Sequence, residues 1–123
     1  MKNSDSIKKI VDGIYHLVLD NSNDCRSYGK ILTDYLHQNK LPLHSILILD
    51  GRANDCSMLC NDDFLKSITH FYAIAYILGN KTVEQTKWQH ARLISENNIA
   101  TRYFNTDEDA FNWSTAQLKV LRP

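Results

Sequence analysis

Apolar residues recur along this chain with two periods, and their alternation predicts strands interleaved with helices. Ile10-Val11 and Ile14 to Leu19 flank Asp12-Gly13, a dipeptide favoured in two-residue hairpins because both central positions there take positive φ. In the second run Ile14, His16 and Val18 face one way, and Tyr15, Leu17 and Leu19 the other. Both faces are largely apolar, so this strand is expected inside a sheet. Asn21-Ser22-Asn23-Asp24 supplies a turn and a choice of helix caps. Tyr28, Ile31, Leu32, Tyr35 and Leu36 then form one core-facing stripe at helical spacing. Leu41-Pro42-Leu43 ends that helix, since proline disfavours helix in the residue before it.

Ser45 to Leu49 reads as a short apolar strand leading to Asp50-Gly51-Arg52. After an irregular stretch from Ala53 to Cys60, Asn61 or Asp62 can cap a short helix through about His70, with Phe64, Leu65 and Ile68 inward. The run Tyr72 to Leu78 is apolar on both faces, as a buried parallel strand requires, and stops at Gly79-Asn80. Thr82 and Gln85 have capping-box spacing at the start of a polar helix reaching about Asn97. Ala100 to Phe104 is the last strand. Thr106 and Asp109 offer a weaker cap for a final helix, which turns Ala110, Phe111 and Trp113 to the core. The predicted order is β-β-α-β-α-β-α-β-α. Right-handed crossovers make the last three strands parallel, and the hairpin adds an antiparallel edge. The expected fold is α/β with a mixed, mainly parallel sheet and an N-terminal hairpin.

Composition narrows the function classes. A chain of 123 residues is expected to be one domain, residues 1–123, long enough to bury a core without metal or disulfide staples. Its 14 basic and 14 acidic side chains cancel, which argues against a nucleic-acid partner, since polyanion binders carry a basic excess. No apolar stretch is long enough to cross a bilayer, and Met1 to Lys9 lacks the apolar core of a signal peptide. Cys25, Cys56 and Cys60 cannot all pair with one another. These features together predict a cytoplasmic protein.

The element order, the run Tyr72-Ala73-Ile74-Ala75-Tyr76-Ile77-Leu78-Gly79-Asn80 and the segment from Arg102 to Trp113, Arg-Tyr-Phe-Asn-Thr-Asp-Glu-Asp-Ala-Phe-Asn-Trp, resemble the SpoIIAA-like proteins. These are small bacterial relatives of the STAS, or anti-sigma-factor antagonist, fold. In that family a strand ending in Phe is followed by an acidic turn and a helix carrying Ala and Trp. The resemblance implies a regulatory or protein-interaction module, with a protein partner or a homodimer, and some relatives are associated with apolar ligands or membranes. One departure is plain. STAS antagonists carry a phosphorylatable Ser beside an Asp after a central strand, whereas here Asp50 is followed by Gly51. Ser57 does not match by position, so the phosphoswitch is not carried over.

In open α/β sheets, ligands sit beyond the carboxyl ends of the strands. Asp50, Arg52, Asn80 and Lys81 fall there, and helix starts at that edge suit an anion. Turn chemistry at Gly79-Asn80 and a cap at Thr82 account for the same residue types. The long loop carrying Ser57, Met58 and Leu59 offers an adaptable apolar patch for a partner, or folds back on the core. Trp88, on a polar helix, is a candidate interface anchor, or equally lies over the sheet edge. Cys56, Cys60 and five scattered histidines do not have zinc-site spacing, so neither metal nor cofactor is expected. No Gly-x-Ser-x-Gly occurs. Asp50 could be a base or a nucleophilic carboxylate, with Asp20, Asp24 and Lys81 only superficially completing a phosphoacceptor set. The sequence therefore predicts a non-enzymatic regulatory or interaction module. The alternative is a small binder of an apolar or lipid-like ligand, held between helices and sheet in a pocket lined by Tyr28, Tyr35, Phe64 and Phe71.

Overall fold

Ile46–Asp50 and Ala73–Ile77 are buried along their whole length, the condition of strands covered on both faces. They form the middle of the sheet in the protein's computed structural model, which describes residues 7–18, 25–42, 44–51, 66–78 and 100–121. Five strands, β1 (Ile7–Val11), β2 (Ile14–Val18), β3 (Ile46–Asp50), β4 (Ala73–Ile77) and β5 (Ala100–Phe104), are hydrogen-bonded in chain order. β1 and β2 pair antiparallel, and β2 through β5 are parallel. The mixed, mainly parallel α/β sheet with its N-terminal hairpin is thus present. Among the described residues the helices are α1 (Cys25–Gln38), a helical segment at residues 66–68, and α2 (Asp107–Leu121). The polar helix expected from Thr82 to Asn97 lies outside the described residues.

The pleat sorts side chains into two cores. On one face Tyr15, Leu17, Leu47, Leu49, Ile74 and Tyr76 meet Tyr28, Ile31 and Leu32 of α1, with Ile68 and Phe71 beside them. On the other, Ile14, Ile48, Ala75 and Ile77 meet Ala110 of α2, with Phe104, Phe111 and Trp113 packed alongside. Each fully buried aliphatic or aromatic side chain contributes about 1.5–3 kcal/mol. The helical stripe read from the sequence is the buried face of α1. Tyr28 and Leu32 are fully buried, and Tyr35 and Leu36 partly so.

Three local details differ from the sequence pattern, each for a physical reason. In the hairpin only Gly13 takes positive φ (93°), and Asp12 does not. The ladder absorbs the mismatch as an irregularity between Lys9 and Val11, a device that also discourages edge-to-edge pairing. β3 runs one residue further than its apolar run, so Asp50 is a strand residue. Tyr72 lies before β4 and is exposed, its ring edge-on to His44 at 5.1 Å.

The last helix starts as the Thr106 pattern predicts. Asp109 N donates to Thr106 Oγ1 at 3.2 Å, and Asp107, Glu108 and Asp109 occupy the first turn, where the helix dipole favours negative charge. Thr106→Ala should therefore lower unfolding free energy by about 1 kcal/mol in a urea titration. Thr106→Ser should be nearly neutral.

Candidate functional site

The parallel register of β2 and β3 sets His16 opposite Ile48 and Val18 opposite Asp50. His16 and Asp50 therefore project from the sheet face that α2 covers. The start of α2 brings Asp107 over the same place. One imidazole nitrogen of His16 and one carboxylate oxygen from each of Asp50 and Asp107 lie within 4.8 Å of one another. Asp50 is 8% exposed. His16 Nε2 is buried and makes no hydrogen bond. Such an atom is unusual, since buried polar groups nearly always find a partner.

Beside this cluster lies a cleft of about 410 Å³ lined by Ile10, His16, Ile48, Ile77, Asp107, Glu108 and Phe111. It exists because α2 packs on β3, β4 and β5, while Ile10 and Val11 of the hairpin stay exposed. Its floor is apolar, and its rim at the α2 end is acidic. The arrangement can hold a cation at the rim and an apolar group on the floor.

The strand that ends in Asp50 continues into Gly51, which is buried. Gly51 N donates to Ile77 O at 3.1 Å. A Cβ at Gly51 would overlap the Tyr76 hydroxyl and lie 2.7 Å from Tyr76 Cζ. The residue is glycine because the Tyr76 ring fills the space where a side chain would go. Tyr76 is itself held in the core with Tyr103 edge-on, centroids 6.2 Å apart.

Burial pushes the Tyr76 phenol up to about 12, with Tyr103 and the Asp50 carboxylate adding to it. Burial also raises Tyr103. The unfolded phenol loses its proton near pH 10, whereas the folded one keeps it to about 12. The resulting stability is whole below pH 10 and is lost as pH rises from 10 toward 12. It amounts to ~2–3 kcal/mol at most. Chemical denaturation across this range should show a steep loss in the wild type and a shallower one in Tyr76→Phe.

A second cleft, of about 760 Å³, lies at the opposite end of the sheet between the end of α1 and residues 66–70. Its lining includes His37, Lys40, His44, Lys66 and His70, a set suited to an anion. Thr33 Oγ1 and Ser67 Oγ, 2.7 Å apart, join its two walls.

Of the residues singled out from the sequence, Asp50 sits in the cluster. Arg52, Ser57, Met58, Leu59, Asn80, Lys81 and Trp88 lie outside the described residues, as do Cys56, Cys60 and Phe64. Of the rings expected to line an apolar pocket, Tyr28 is fully buried and Phe71 nearly so. Tyr15 packs edge-on against Tyr35 at 5.9 Å and against Phe71 at 6.1 Å, so these rings fill space by touching one another. His16 and Asp107 were missed as partners of Asp50. The signal available for His16 was its place on an otherwise apolar strand face. Compared with known proteins, the chain matches no family model, no curated protein and no solved structure. Among the described residues, no helix is long and apolar enough to cross a membrane.

Proposed function

We propose that this chain is a non-enzymatic regulatory or protein-interaction module of the STAS-like, SpoIIAA-like type, acting through a protein partner or a second copy of itself. The observation that carries the reading is the unit formed by β5 and α2. The strand ends in Phe104, Thr106 caps the turn, and α2 sets Ala110 and Trp113 toward the sheet. Phe104 and Trp113 pack with ring centroids 5.7 Å apart. This is the arrangement that the acidic-aromatic resemblance implies, on a sheet with an antiparallel N-terminal edge.

The phosphoswitch of STAS antagonists is no part of the proposal, because Tyr76 takes up the room beside Gly51. Sedimentation velocity over a range of concentrations, run beside turnover assays on ester, phosphoester and peptide substrates, tests the reading. Self-association or complex formation with no turnover supports it. Turnover that disappears in Asp50→Asn would overturn it.

The second reading, a binder of an apolar or lipid-like ligand, is favoured by the cleft between α2 and the sheet. Ile10, Ile48, Ile77 and Phe111 line that cleft. Native mass spectrometry after mild purification checks it. A retained ligand lost on Ile48→Asp supports this reading, and a bare polypeptide mass removes it.

A further inference from the structure

We propose that His16, Asp50 and Asp107 bind one divalent first-row cation, of the Mn²⁺ or Zn²⁺ class, where β2 and β3 meet the start of α2. The site is independent of whether the chain is an interaction module or a ligand carrier. Acids in the first turn of α2 have an ordinary explanation, since they offset the positive end of the helix dipole. That explanation covers Asp107, Glu108 and Asp109. It does not reach Asp50, a buried carboxylate on a different element, or the buried His16 nitrogen that lacks a hydrogen bond.

The geometry suits an ion. Donors about 2.0–2.2 Å from one metal lie ~3.4 Å apart in a tetrahedron and ~3 to ~4.2 Å apart in an octahedron. The three atoms here fall within 4.8 Å of one another, and Asp107 is exposed, so its side chain has room to rotate. An imidazole with two carboxylates matches Mn²⁺, Fe²⁺ or Zn²⁺ better than a soft ion, which prefers thiolates. The bound ion would join the imidazole of His16 to the carboxylates of Asp50 and Asp107. Lys8, in register with His16, is exposed and free to turn toward solvent. Three protein donors leave coordination positions open toward the cleft, and the ion would tie α2 to the sheet.

The test titrates Mn²⁺ into the full, EDTA-treated chain at pH 7, reading free ion by electron paramagnetic resonance and heat by calorimetry. Mn²⁺ is the probe because the three thiols bind it weakly. One ion per chain is expected, with a rise in thermal midpoint. Asp107→Asn and His16→Gln should each weaken binding by about tenfold or more. Asp109→Asn, on the same exposed turn but outside the cluster, should leave affinity unchanged. Asp107 is exposed, so its variant keeps the fold even where Asp50→Asn does not. Absence of saturable binding at millimolar Mn²⁺ overturns the proposal. So does equal weakening by Asp107→Asn and Asp109→Asn, which would mean diffuse attraction to helix acids.

Discussion

Replacing Leu47 by alanine is expected to cost about 3–5 kcal/mol of folding stability, the largest loss of any single truncation considered. Leu47 lies in the third of five strands, with no exposed surface. It faces the core built with Tyr28, Ile31 and Leu32 of α1. Strands pair with β3 on both sides, so the backbone cannot collapse into the space left, and the cavity term adds in full to the transfer term. A domain of this size holds roughly 5–15 kcal/mol in total, so the variant should unfold at far lower urea with little change in slope. Leu36→Ala, on the partly buried rim of the same core, should cost clearly less. Equal losses at the two positions would mean that the α1 stripe does not dock as described.

Gly51→Ser is expected to lose about 1–3 kcal/mol, or more if the core cannot adjust. Overlap with the Tyr76 hydroxyl could be relieved cheaply if that ring were free to swing. It is only 6% exposed, however, and packs against Tyr103. A double-mutant cycle isolates this cause. The serine should cost much less in a Tyr76→Leu background than in the wild type, by comparison of urea midpoints. Equal costs in the two backgrounds would show that backbone conformation, and not the phenol, requires glycine. The result bears on the proposed function, because under the STAS-like reading this is the position where a phosphoacceptor serine would be expected. Here the core occupies that place.

Much of the architecture is legible in local pattern. The span of β5, the stripe of α1 and the cap at Thr106 each follow from a few neighbouring residues. The interior position of β2 follows from apolar residues on both of its faces. Strand ends were less legible, because Asp50 extends β3 for reasons of pairing, not polarity. The hairpin turn departs in detail from its sequence pattern, since Asp-Gly satisfies more than one turn geometry and the ladder is irregular at Lys9–Val11. The candidate site was legible only through Asp50. His16 and Asp107 are far from it in sequence, and they meet it only after the β2–β3 register and the docking of α2 are fixed. Metal-site spacing searches within single segments, and this cluster is assembled from three.

That assembly is the central claim, and an isotope-edited nuclear Overhauser spectrum tests it most directly. The account predicts contacts from the His16 ring protons to Asp107 and Phe111 of α2, together with parallel-type backbone contacts between β2 and β3. A His16 ring in contact with Tyr28 or Leu32 of α1 instead, or antiparallel contacts between those strands, would contradict it.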